Sequence, residues 1–194
     1  MLKQVITFLL FILIFFQAEP LNGQRKFEKE SRLDIQEVPT TAIEFIDSLY
    51  VPGKIKWYLE EGFNTTSIEA KFKLNKQAYS VEFDTLGQLE DIEIKMKWKR
   101  LDHTLRDTIS SELSKECKKH KIKKVQIQYS GDPQVLLSKL KSGHSDQSYL
   151  TRYELVVKCC NKKDVVLKEF LFDDAGQKLS SSEIVSKISS NLEY

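Results

Sequence analysis

The chain has 194 residues, of which 41% are hydrophobic and 30% charged. That balance excludes a disordered or collagen-like chain and supplies enough apolar residues for one core or two small fused ones. Lys and Arg number 30 against 28 Asp and Glu, a formal net charge of +2, so no overall field calls for nucleic acid or an anionic membrane as partner.

Residues 1–23 read as a signal peptide. Lys3 supplies the positive start and "VITFLLFILIFF" an apolar run shorter than the ~20 residues that span a bilayer. Ala18 and Gly23 are the candidate last residues removed. The expected location is periplasmic or secreted, with no membrane span in the mature chain. Residues 24–37, including "QRKFEKESR", are expected to form a charged, disordered lead.

"TTAIEFIDSLY" carries Ile43, Ile46, Leu49 and Tyr50 at helical spacing behind Pro39, which predicts a short helix. After Pro52-Gly53, the runs "KIKWYLEE", "SIEAKFKL", "QAYSVEF" and "LEDIEIKMKW" each alternate apolar with polar residues, the mark of half-buried antiparallel strands. Their inward residues are Ile55, Trp57 and Leu59; Ile68, Ala70, Phe72 and Leu74; Tyr79, Val81 and Phe83; Ile92, Ile94, Met96 and Trp98. The opposite, solvated face is charged: Lys56, Tyr58, Glu69, Lys71, Lys73, Glu82, Lys95 and Lys97.

A second unit repeats the order. "DHTLRDTISSELSKECKKH" predicts a longer helix with Asp102 as its N-cap and Lys118, Lys119 and His120 at its C-terminal end, where the helix dipole favours positive charge. "KKVQIQY", "YLTRYELVVKC" and "DVVLKEFLF" read as strands. F-D-x-x-G-Q occurs at Phe83 and again at Phe172. Asp84 and Asp173 suit the start of a tight turn, and Gly87 and Gly176 suit the positive φ that reverses the chain. The repeated motif predicts the same hairpin in two related units, 38–100 and 101–194, the second with an insert at 130–148.

The insert, "SGDPQVLLSKLKSGHSDQS", reads as a loop or a short helix with Val135, Leu136, Leu137 and Leu140 at its centre. If Phe172 points inward, then Val165, Leu167 and Leu171 point outward beside Val156 and Cys160. That is a large apolar set for a solvated sheet face. Either the inserted leucines fold over it, or Val156, Val165, Leu167 and Leu171 form a docking surface, together with Tyr58, Lys71, Lys73, Lys95 and Lys97 of the first unit.

The chain has 3 cysteines. Cys159 and Cys160 are adjacent on a predicted strand and point to opposite faces, while Cys117 shares the apolar stripe of the long helix. A Cys117–Cys159 disulfide and a set of buried apolar thiols both fit this pattern. His103, His120 and His144 show no metal-ligand spacing, and no G-x-S-x-G, H-E-x-x-H, P-loop or Cys/His pair occurs. The sequence therefore predicts no enzyme, cofactor or metal.

Taken together, "VPTTAIEFIDSLY", "KIKWYLEE", "IEAKF", "YSVEFDTLGQLEDIEI" and "YELVVK…KEFLFDDAGQKL" resemble the PepSY-like domain of secreted bacterial proteins, related to the beta-lactamase inhibitory protein fold. The resemblance covers residues 38–184. It implies an α+β fold: tandem helix-plus-strands units forming an antiparallel sheet with helices packed on one face. It also implies a noncatalytic role, since relatives bind or inhibit other proteins, the beta-lactamase inhibitor through its concave sheet face. No inhibitory residue can be matched position by position. The expected function is an exported binding protein, an inhibitor or folding partner of an envelope or secreted protein; a receptor for a small apolar or anionic ligand is the alternative.

Overall fold

The computed structural model describes residues 24–143, 148–161 and 164–185. The leader at 1–23 and His144 lie outside the described residues. The elements in chain order are β1 (Gln24–Lys26), β2 (Lys29–Leu33), α1 (Thr40–Ser48), β3 (Lys56–Glu61), β4 (Thr66–Leu74), β5 (Gln77–Phe83) and β6 (Leu89–Lys95). They continue with α2 (His103–Glu116), β7 (Lys119–Ser130), α3 (Pro133–Ser142), β8 (Leu150–Asn161), β9 (Asp164–Phe172) and β10 (Lys178–Ile184). No helix among the described residues is long and apolar enough to cross a membrane.

All the strands belong to one ten-stranded sheet, ordered β1-β10-β9-β8-β7-β6-β5-β4-β3-β2. Alternation sets the register. Trp57 pairs with Ala70, Ala70 with Val81, Val81 with Ile92 and Ile92 with Tyr129, so one cross-strand row is apolar or aromatic through five strands of the sheet. A slip of one residue would turn every such row to the other face. The β6–β7 pairing, with Ile94 opposite Ile127, makes a continuous sheet of the two halves that the sequence separates.

The apolar rows pack with the helices in two clusters. Ala42 and Ile46 of α1 and Leu136 of α3 join Trp57, Phe83 and Ile92. Ile109 and Leu113 of α2 join Leu155, Val157, Phe170 and Phe172. Cys117 and Cys159 belong to the second cluster and form a disulfide across a sequence separation of 42. Cys160 is free.

The two F-D-x-x-G-Q turns have the same geometry. Asp84 Oδ1 accepts from the Leu86 and Gln88 amides, and Asp173 Oδ1 from those of Ala175 and Gln177, all at 2.8–3.0 Å. Gly87 and Gly176 each sit at φ 82°. A Cβ at Gly87 would lie 2.8 Å from Pro39 Cβ, and one at Gly176 would lie 2.9 Å from Leu105 Cδ1. Each glycine therefore serves both the positive φ and the close approach of its turn to a helix.

Two regions differ from the sequence reading, and a third resolves an alternative it left open. Residues 24–37 are not a disordered lead: β1 runs parallel to β10, β2 antiparallel to β3, and a 3-10 turn follows at Ile35–Glu37. Exposed sheet edges offer unpaired backbone groups, and this polar segment satisfies them despite its charge. Helix α2 stops at Glu116, and Lys119 and His120 already belong to β7, because the disulfide at Cys117 turns the chain into the sheet. The insert takes the helical of its two readings: α3 is capped by Asp132 Oδ1 at the Gln134 and Val135 amides and closed by left-handed Gly143.

Candidate functional site: a charged cleft closed by the first strands

The polar rows of the sheet run parallel to the apolar ones. Tyr58 pairs with Glu69, Glu69 with Glu82 and Glu82 with Asp91. The neighbouring rows bring Lys71 opposite Ser80, Ser80 opposite Glu93, and Gln126 opposite Glu154. On a flat sheet these residues would be solvated. Here Glu69, Glu93 and Glu154 are only 3%, 5% and 7% exposed.

Their burial follows from the path of the first strands. β1 lies on β10 at one side of the sheet and β2 on β3 at the other, with only Phe27 and Glu28 between them. Two intervening residues let Cα atoms stand at most about 11 Å apart, so the sheet must curl until its two sides nearly meet. Side chains tighten the closure. Lys26 Nζ bonds Glu169 on β9 at 2.7 Å and also pairs with Glu28, which shares a hydrogen bond with Glu60 on β3. Lys71 reaches Glu30 on β2 at 2.7 Å and Glu69 at 2.8 Å.

The curl encloses a cleft of about 610 Å³, floored by Glu69, Glu82, Glu93 and Gln126 and rimmed by Lys54, Lys56, Lys73 and Lys95. Cations inside it are already engaged: Lys26 with Glu169, Lys71 with Glu69, and Lys124 with Glu154 at 3.2 Å. Burial alone would lower the pKa of Lys26 and Lys71, but their carboxylate partners outweigh it and hold both above the ordinary lysine value. Glu60, Glu82, Asp91 and Glu93 are left without an ion pair among the described residues. Burial, reinforced by the other carboxylates, pushes Asp91 up to about 7, Glu60 to about 8, Glu82 to about 9 and Glu93 to about 10. Burial followed by Glu154 also raises Glu169. The arrangement is suited to receiving positive charge.

Of the residues singled out in the sequence, Lys71, Lys73 and Lys95 line this cleft. Tyr58 lies beside it with Lys71 Nζ 5.1 Å from its ring centre. Lys97 stands apart, next to a smaller depression with Asn75, Lys76 and Arg100. Val156 and Leu171 are half-buried, opposite Glu169 and Glu154 respectively.

Val165 and Leu167 are 58% and 42% exposed. The inserted leucines do not cover them: Leu136, Leu137 and Leu140 pack in the cluster of α1 and β3–β6 instead. The structure thus overturns the expectation that the inserted leucines fold over this apolar set. Because Leu167 is already in solvent, Leu167→Asp should cost less than about 1 kcal/mol. Urea denaturation of the single variant checks this; a loss above about 2 kcal/mol would mean that the chain covers Leu167.

Glu60, Asp91, Glu93, Gln126, Glu154 and Glu169 were not singled out from the sequence. The alternation in "LEDIEIK" puts Asp91 and Glu93 on the face of Glu82, so their common side was legible. The curl that buries them was not.

No protein-family profile matches the chain, and no curated protein matches it in sequence. Among solved structures, the fold is similar to that of a DUF2874 family protein from Bacteroides ovatus, at 14% identity and a TM-score of 0.52, covering 80% of this chain and 94% of the other. A BLIP-like protein from Bacteroides fragilis is similar at 15% identity and a TM-score of 0.46, with 80% and 92% covered. At such identity the first likeness is one of fold alone.

Proposed function

We propose that this is an exported, noncatalytic binding protein of PepSY-like type, built of two related halves, that receives a protein partner on its curled polar face. The carrying observation is that Val165 and Leu167 stand exposed on the same face of β9 as Glu169, beside a cleft with unpaired carboxyls. An apolar patch next to buried acidic groups complements a partner segment with an apolar side chain flanked by lysine or arginine. The apolar leader and the Cys117–Cys159 disulfide support an oxidising, extracytoplasmic location.

The test is affinity capture from native envelope and culture fractions with chain 24–194, followed by titration of the purified partner. Val165→Lys with Leu167→Lys should weaken binding about tenfold or more while the circular dichroism spectrum is kept. Raising the salt should weaken wild-type binding as well. A partner that binds both forms equally would remove this surface from consideration.

The enclosure favours a second reading, a small-ligand receptor, because 610 Å³ falls within the usual size of small-molecule sites. The unpaired carboxyls on its floor favour a cationic ligand over the apolar or anionic one expected from the sequence. Thermal stabilisation by a small amine such as spermidine, with no protein captured, would select this reading.

A further inference from the structure

We infer that the smaller depression, at the lysine-rich end of the sheet, binds a compact polyanion: a small molecule carrying two or more phosphate groups. This inference does not depend on the nature of the protein partner.

The hollow, of about 510 Å³, is lined by the cations Lys73, Lys76, Lys95, Lys97 and Arg100 and by no carboxylate. Strand direction gathers them. β4 ends, β5 begins and β6 ends at the same end of the antiparallel sheet, and "KLNKQ" and "KMKWKR" load that end with basic residues. Alternation turns Lys73 and Lys95 to one face: Lys73 pairs with Ala78 and Ser80 with Glu93, each pair two residues from the next along the strands.

Both walls are held in place. Asn75 and Lys76 make the two-residue turn between β4 and β5 at φ 50° and 64°, the left-handed pair that a tight hairpin requires. The other wall is a 3-10 turn at Trp98–Arg100, anchored by Trp98 and Leu101 in the second apolar cluster.

What sets this group apart is that the fold provides it with no counter-charge. Elsewhere on the polar face lysines are paired: Lys26 with Glu169, Lys71 with Glu30 and Glu69, Lys124 with Glu154. The five cations of the hollow are all exposed, and none has an ion pair among the described residues. Acidic neighbours along the chain are engaged elsewhere. Glu69 holds Lys71, Glu93 accepts from Gln126, and Asp102 caps α2 through the Thr104 and Leu105 amides. Five like charges around one concave surface sum to a positive potential that an entering anion draws on as a whole. Because the whole chain carries only +2, this field is local to the hollow.

The donors select among anions. A phosphate group brings more charge than a carboxylate and three strong acceptor oxygens. The Arg100 guanidinium suits bidentate contact with such a group, the lysines act as point charges, and the side-chain amides of Asn75 and Gln77 add neutral donors. More than one phosphate is needed to balance five cations. A bilayer fits this surface poorly: the hollow is concave, and its apolar lining, Ala78 and Met96, is half-buried, so it offers no exposed apolar side chain for insertion.

The test titrates chain 24–194 with sodium tripolyphosphate by calorimetry at neutral pH and low salt. One bound molecule per chain is expected, with affinity falling about tenfold or more at high salt. Lys76→Gln with Arg100→Gln changes two exposed residues that line this hollow and not the cleft. It should weaken binding about tenfold or more with Tm unchanged. Lys29→Gln with Lys115→Gln removes the same charge from lysines paired elsewhere and should bind as wild type does. The assignment is overturned if tripolyphosphate does not bind, if the first double variant keeps wild-type affinity, or if the two double variants lose affinity equally. It is also overturned if phosphatidylglycerol vesicles bind the protein and tripolyphosphate does not displace them.

Discussion

Replacing Cys117 and Cys159 together by alanine should destabilise the protein by about 4 kcal/mol, the value expected for releasing a loop of this size in the unfolded chain. The bond closes 42 residues of sequence, spanning the turn out of α2, all of β7 and α3. Both sulfurs lie among Ile109, Leu113, Val125, Leu155 and Val157, so alanine also leaves a small void. In a chain of this length the loss corresponds to a fall in Tm of about 8–16 °C. Cys160→Ala should have little effect, since Cys160 is a half-buried free thiol outside both core clusters. Thermal unfolding of the two variants beside wild type separates these cases. A loss below about 1 kcal/mol for the double variant would show that apolar packing of α2 suffices to hold the second half together.

The local elements were legible because each reports a short-range rule. Alternation through "SIEAKFKL" and "LEDIEIKMKW" shows which residues of β4 and β6 share a face, and the spacing of Asp84 and Gly87 specifies a tight turn. The closure of the sheet depends on residues far apart in sequence. Lys26 meets Glu169 across 143 residues, and nothing in "QRKFEKESR" distinguishes a strand that must reach both sides of a sheet from a solvated lead. The same gap hid the site. Asp91 and Glu93 have the pattern of an ordinary exposed strand face, and only the curl imposed by β1 and β2 takes them out of water. The insert shows the complementary limit: its leucines announced an apolar helix face, but two exposed apolar regions competed for it, and the core beside α1 received it.

The buried carboxyls should also invert the usual dependence of stability on pH: the protein should be more stable at pH 5 than at pH 9. The ordinary values are 3.8 for Asp91 and 4.5 for Glu60, Glu82 and Glu93, against about 7, 8, 9 and 10 in the fold. Each group is therefore protonated in the fold over a range where the unfolded chain has lost the proton. Unfolding in that range releases protons, and rising pH favours it. The contribution is fully present below about pH 4 and is lost as pH climbs through the folded values. Lys26, Lys124 and Arg152 temper the cost but do not cancel it, because burial leads the causes at all four carboxyls. A single net proton held across two pH units is worth about 3 kcal/mol, so Tm at pH 9 should lie at least about 6–12 °C below that at pH 5. Asp102 and Glu116 act in the opposite sense. Backbone amides lower the first, and Lys178 and Lys168 outweigh burial to lower the second, so their contribution is lost only in acid. Glu82→Gln with Glu93→Gln keeps the size of the side chains but removes the ionisation, and should flatten the slope between pH 5 and 9. A wild-type Tm that is level or rises over that range would mean that the cleft admits enough water to ionise its carboxyls freely. A slope that survives the double variant would move its origin to groups outside the cleft floor.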